Sequence, residues 1–215
     1  MKENNWFDPF YIQSHLNEEE SNIRKNVRDF CNNELKPTVV ERNRKNEFDQ
    51  SLYPKFGSLG VLGQTVKTHG GSGTSNLAYG LVAYEFEKID SSYRSSISVQ
   101  SSLVIHPINE FGSQEQKDKY LPSLIKGEKI GCFGLTESEA GSDPTSMKTS
   151  FKKTKDGYIL NGSKNWITNA PIADIFIIWA IEENKDHKSI KGFIIEKNTE
   201  GLNTSTIENK TSLKI

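Results

Sequence analysis

Residues 133–147 read FGLTESEAGSDPTSM, and their reading decides the fold. The stretch follows an apolar run and then turns almost wholly to small, hydroxyl and acidic residues, with no Lys or Arg before Lys148. A P-loop needs a Lys after its last Gly to meet phosphates, and none is present. A dinucleotide fingerprint needs GxGxxG between a strand and a helix; Gly134 and Gly141 are spaced wrongly for it. Two readings remain open on these residues alone. One is a loop that hydrogen-bonds a neutral heteroaromatic ring through backbone N–H groups, Thr136 and Ser142. The other is an ordinary surface turn.

A second stretch, NGSKNWITNAPIAD at residues 161–174, bears on the first. Read as a strand, it places Trp166 and Thr168 on one face, two residues apart. An indole and a hydroxyl on one face suit a flat, polar-edged ring. A core Trp with an incidental Thr has the same pattern.

The 215 residues carry a net charge of −1, which offers no electrostatic footprint for nucleic acid or an acidic membrane surface. The 10% aromatic content is too high for a disordered chain. The longest apolar run, residues 172–181, is about half of what a membrane span needs and contains Asp174. Cys31 and Cys132 form no CxxC, so a reducing compartment is expected. His15, His69, His106 and His187 show no metal-ligand spacing. The N-terminus is neither an apolar signal nor an Arg-rich leader. That predicts a bacterial cytoplasm, or a mitochondrial matrix after processing.

Helical grammar fills the first half. Asn17 with Glu20 and Ser113 with Gln116 read as capping boxes. Ile23, Val27, Phe30, Cys31 and Leu35 recur at helical spacing up to Pro37. A short helix over 52–59 ends in Gly60, and Ser75 caps another carrying Leu77, Leu81, Val82, Phe86 and Ile89. Ile97, Leu103 and Val104 are core candidates in the Ser-rich stretch that follows. After Gly127 strands dominate: 130–135, a hairpin about Asp156-Gly157, 166–168, 174–181 and 191–197. The fold expected is α+β, a helical domain over 1–128 and a β domain over 129–215. The chain stops in strand-like sequence, IENKTSLKI, which predicts an open sheet edge, marginal stability and aggregation.

Arg94 stands among small and apolar residues, where burial without an anion is costly. Glu87 lies seven residues earlier; one helix through both would put them on the same face, two turns apart. A surface or interdomain ion pair accounts for Arg94 equally well.

LTESEAGSD and WITN, in this order and behind a helical half, resemble the acyl-CoA dehydrogenases, over essentially the whole chain from FDPF onward. The resemblance implies an N-terminal all-α domain followed by a middle β-barrel-like domain, here incomplete, without the C-terminal helical domain. It implies FAD, held by Phe133, Gly134, Leu135, Thr136, Gly141 and Ser142, with Trp166, Ile167 and Thr168 against the ring. The segment around YRSS is similar to glutaryl-CoA dehydrogenases. This implies that Arg94 meets the free carboxylate of glutaryl-CoA, helped by Glu87 and Ser95, with Ser142 also near the thioester. It further implies oxidation of a short acyl-CoA to its α,β-unsaturated form with loss of CO2, electron transfer to an electron-transfer flavoprotein, and a homotetramer. The family's catalytic Glu would lie beyond Ile215, so no base is assigned. Glu137, Glu139 and Asp143 are expected to serve local structure. Glu139-Ala140 departs from the small or polar residues of close relatives without touching Thr136 or Ser142.

Overall fold

Both capping boxes form. Asn17 accepts from the Glu20 amide while Glu20 accepts from that of Asn17, opening α1 (Glu18–Phe30). Ser113 and Gln116 do the same for α7 (Gln114–Ile125). Between them lie α2 (Val39–Lys45), α3 (Leu52–Ser58), α4 (Asn76–Glu87), α5 (Ser91–Ser98) and α6 (His106–Phe111). These elements come from a computed structural model that describes residues 8–183 and 189–214. His187 and the first residues of the chain, Phe7 of FDPF included, lie outside the described part.

Two helices widen before a proline. α1 runs on as a π-helical segment, Cys31–Leu35, and α5 as another, Val99–Ile105. The Lys36 amide donates to the Cys31 carbonyl and that of His106 to Ser101, both five residues back. Pro37 and Pro107 follow each segment by two residues. A proline ring collides with the carbonyl four residues before it, and the wider turn relieves that contact. The buried face keeps helical spacing through the second segment, from Ile97 to Gln100, Ser101, Val104 and Ile105. Val104 and Ile105 are fully buried, whereas Leu103, expected in the core, turns outward at 37% exposure. Leu77, in the first turn of α4, is likewise exposed.

The sheet has β1 (Gly131–Gly134), β2 (Ser150–Lys153), β3 (Tyr158–Asn161), β4 (Ile175–Glu182) and β5 (Lys191–Glu196). β4 is central. It pairs with β5 antiparallel over Ile175–Ala180 and with β1 parallel, from Gly131↔Ile175 to Gly134↔Ile178. Its last residues, Ile181 and Glu182, pair with β2. The expected hairpin joins β2 to β3, with the Thr154 amide donating to the Gly157 carbonyl. No strand forms at 166–168, which is a turn in which Trp166 has φ 59° and Asn169 φ 71°.

One core serves both halves. Tyr53, Phe56, Phe86, Leu121 and Leu124 from the helices pack with Ile130, Ile175 and Ile177 from the sheet. Phe56 meets Phe86 edge to face at 5.3 Å between ring centres. Tyr120 and Lys119 of α7 both hold Glu196 at the end of β5, at 2.9 and 2.7 Å. No helix among the described residues is long and apolar enough to cross a membrane.

Candidate functional site

β1 has two edges with different partners. Backbone groups alternate sides along a strand. The Ile175 amide donates to the Ile130 carbonyl, so even-numbered residues of β1 face β4 and odd-numbered ones face away. On that outer edge the Gly131 amide donates to Gln100 Oε1 at 2.8 Å, and the Gly131 carbonyl accepts from Asn169 Nδ2 at 3.0 Å. At the other end the Leu135 carbonyl accepts from Lys164 Nζ at 3.0 Å. Between these stops stand the Phe133 N–H, the Phe133 C=O and the Leu135 N–H. None of the three hydrogen-bonds to any described residue.

Residues 164–169 create this opening. They pass along the outer edge of β1 in the opposite direction, from Lys164 at Leu135 to Asn169 at Gly131. An extended segment would have closed a ladder there. The left-handed turns at Trp166 and Asn169 bow the backbone instead, and Asn tolerates that conformation better than most residues. The Asn165 amide still reaches the Thr136 carbonyl at 2.9 Å, so Trp166 emerges beside the loop, 64% exposed. Ile167 packs with Cys132, Ala173 and Phe176, and Thr168 is half-buried. Trp166 and Thr168 are thus positioned by a turn and not by strand alternation.

Under the loop lies a buried ion pair. Lys164 Nζ meets Glu137 Oε1 at 2.7 Å, with side chains 7% and 9% exposed. Glu137 also accepts from the amides of Lys148 and Thr149 at 2.7 and 3.0 Å. Burial pushes its carboxyl up, but Lys164, Thr149 and the two amides outweigh burial and hold it down at about 2. Glu137 is therefore a brace that is charged at neutral pH. Glu139 pairs with Lys148, and Asp143 caps Thr145. As expected, the three carboxylates serve local structure. Gly141 and Ser142 are exposed at the loop's tip, and an added Cβ at Gly141 would meet open space.

The loop itself carries no cation, and Lys164 supplies the one beneath it. Sequence reasoning passed over Lys164, Gln100 and Asn169. Lys164 and Asn169 flank the WIT tripeptide and were visible as a basic and an αL-tolerant residue. Gln100, fully buried, gave no sign.

Arg94 lies on α5, and a single helix does not join it to Glu87. α4 stops at Glu87, and Asp90 caps α5 by accepting from the Ser92 amide. The pair forms across that break nonetheless, Arg94 Nε to Glu87 Oε2 at 2.8 Å. Ser91 and then Arg94 hold the Glu87 carboxyl below its ordinary value. Only Nε is engaged; the two terminal amino groups of the guanidinium bond to no described residue. Ser95 is buried, on another side of the helix from Arg94, which is 35% exposed.

An open groove of about 2120 Å³ runs between the sheet and residues 198–214. Trp166, Ile167 and Thr168 line it, but the outer edge of β1 and Arg94 do not. Directional donors and acceptors define a ligand more sharply than volume does, so the β1 edge is taken as the site. No group of His, Cys, Asp and Glu among the described residues is arranged for a metal. Burial raises both thiols, Cys31 to about 12, which leaves neither a nucleophile.

Comparison with known proteins places this geometry. The acyl-CoA dehydrogenase N-terminal domain matches residues 17–128, and the middle domain of the same enzymes matches residues 132–215. The chain belongs to the acyl-CoA dehydrogenase family. It is 38% identical, over 93% of its length, to the short-chain-specific acyl-CoA dehydrogenase of Clostridium acetobutylicum, of which it covers 53%. Among solved structures, the glutaryl-CoA dehydrogenase of Mycobacterium smegmatis in complex with FADH2 superposes with a TM-score of 0.91 at 40% identity. The match covers 95% of this chain and 52% of that one. Butyryl-CoA dehydrogenase from Megasphaera elsdenii gives 0.85 at 37% identity, over 93% and 54%. The chain spans about half the length of the family members it matches.

Proposed function

We propose that the outer edge of β1 seats FAD, and that the protein serves the α,β-oxidation of a short-chain acyl-CoA, with glutaryl-CoA as substrate. The observation that carries the cofactor is the hydrogen-bonding order of the edge. Phe133 N–H, Phe133 C=O and Leu135 N–H offer donor, acceptor, donor. The pyrimidine side of an isoalloxazine offers the complement: C4=O, N3–H, C2=O. Thr136, half-buried at the end of the edge, adds a hydroxyl, and the exposed Trp166 offers a face for the ring. When bound, FAD supplies the acceptor for the two electrons. Gly141 and Ser142, exposed at the loop tip, leave room for the diphosphate and the thioester.

Sequence identity does not choose the acyl group, because short-chain, butyryl and glutaryl relatives stand within a few per cent of one another. The Arg94 guanidinium supports glutaryl-CoA. Glu87 takes Nε and fixes the plane, leaving the terminal amino groups for a second carboxylate, the geometry of a bidentate pair. Arg94 is six residues ahead of Gln100 on one helical run, about 9 Å along the axis from the anchor of the β1 edge. That suits a short acyl chain ending in a charge. The same reading includes a homotetramer and an electron-transfer flavoprotein as electron acceptor. No carboxylate of the loop is assigned as the catalytic base, and each takes part in a local bond.

The test is to compare oxidation of glutaryl-CoA and butyryl-CoA by the wild type and by Arg94→Ala. Loss of about 10- to 100-fold on glutaryl-CoA alone is expected, the worth of a charged hydrogen-bonded pair. Equal losses on both substrates would make Arg94 structural and the substrate another short acyl-CoA. FAD retention without turnover of any acyl-CoA would leave a flavin-binding module.

A further inference from the structure

Three backbone groups remain open on β1 because side chains close the rest. A strand edge ordinarily attracts another strand. Here both groups of Gly131 are consumed by side chains from different parts of the chain. Gln100 comes from the π-helical segment Val99–Ile105, and its amide is fully committed. Oε1 accepts from Gly131, and Nε2 donates to the carbonyls of Leu124 and Lys129, each at 2.9 Å. That amide ties the strand to the end of α7 and to the helical run bearing Arg94. Val104 on the same segment packs so closely that a Cβ on Gly131 would come within 2.5 Å of its Cγ1. Asn169 is buried, left-handed, and bonded to the Gly131 carbonyl.

We propose that Gln100 and Asn169 are positioning residues that set the register of the cofactor on β1. They stop the edge at Gly131, so that a three-point ligand finds one register and not two, and they lock that register to the helix that reads the acyl group. The idea rests on the flavin seat proposed above.

The probe is 3-methyl-FAD, whose N3 has lost the hydrogen that Phe133 C=O would accept. Dissociation constants for FAD and 3-methyl-FAD are measured by flavin fluorescence, alongside Tm, for the full-length wild type, Gln100→Met and Asn169→Gly. Met nearly matches Gln in shape and Gly keeps the left-handed backbone, and Tm reads the cost of the hydrogen bonds each variant loses. We expect the wild type to prefer FAD by about tenfold, the worth of one hydrogen bond, and both variants to lose most of that preference. If the variants fall in Tm but discriminate as the wild type does, Gln100 and Asn169 are only structural and the inference is overturned, while the flavin seat stands. If the wild type does not discriminate, the flavin seat itself is wrong and the inference falls with it.

Discussion

The two edges of β1 differ in what they meet. The inner edge pairs with β4 residue for residue, Gly131↔Ile175 to Gly134↔Ile178, and its polar groups are spent on the fold. The outer edge meets side chains at its ends and no strand between them. We propose that the open middle of the strand is the seat of a ligand, since backbone donors and acceptors call for partners. On that reading one short strand serves stability on one side and recognition on the other, and the side chains that border the open side set where recognition stops.

The largest effect that separates the two edges belongs to the Lys164–Glu137 brace. Lys164→Met leaves a buried carboxylate without its cation and should lower stability by about 3–5 kcal/mol in urea unfolding at pH 7. A loss below about 1 kcal/mol would mean that water replaces the ammonium and that the pair is not the brace. Its pH dependence sharpens the point. The folded Glu137 carboxyl sits at about 2, below its ordinary 4.5, so its contribution is complete above about 4.5 and fades as pH falls toward 2. The stability gap between wild type and Glu137→Gln should then narrow over that interval. A constant gap would assign the effect to shape and not to charge.

Next in size is Gly131→Ala. Its Cβ collides with Val104, and overpacking of this kind costs about 1–3 kcal/mol. Adding Val104→Ala should recover part of the loss; a double variant no better than the single would put the strain elsewhere along β1. The smallest effects on stability are expected at the ligand-facing side chains. Trp166→Ala, at a residue 64% exposed, and Arg94→Ala, whose ion pair with Glu87 is surface-exposed, should each change unfolding by no more than about 0.5–1 kcal/mol. Trp166→Ala should nonetheless weaken FAD. A Trp166 variant that loses several kcal/mol of stability but binds FAD normally when folded would reverse the assignment of the two edges.

Local chemistry was legible in advance. Asn17, Ser75 and Ser113 each accept from an amide three residues on, as a cap does, and Asp156-Gly157 turns the hairpin. What the pattern misjudged was the segment at 166–168, because alternation of side chains looks the same in a strand and in a turn that mimics one. Leu103 misled for another reason. It is apolar, but six residues on from Ile97 it falls off the face that Ile97, Gln100, Ser101, Val104 and Ile105 bury, so composition suggested what the spacing did not.

The sequence by itself determined the order of helices and strands, the capped helix starts and the two motifs, since each depends on residues within a few positions of one another. Only the tertiary structure decided that Gln100, Asn169 and Lys164 bracket the outer edge of β1. These contacts join positions 29 to 38 residues apart, Gln100 to Gly131 at 31, Asn169 to Gly131 at 38 and Lys164 to Leu135 at 29. They exist because the helical half and the sheet share one core. No local propensity encodes a hydrogen bond between side chain and backbone at that separation; packing brings the partners together, and burial makes their pairing obligatory.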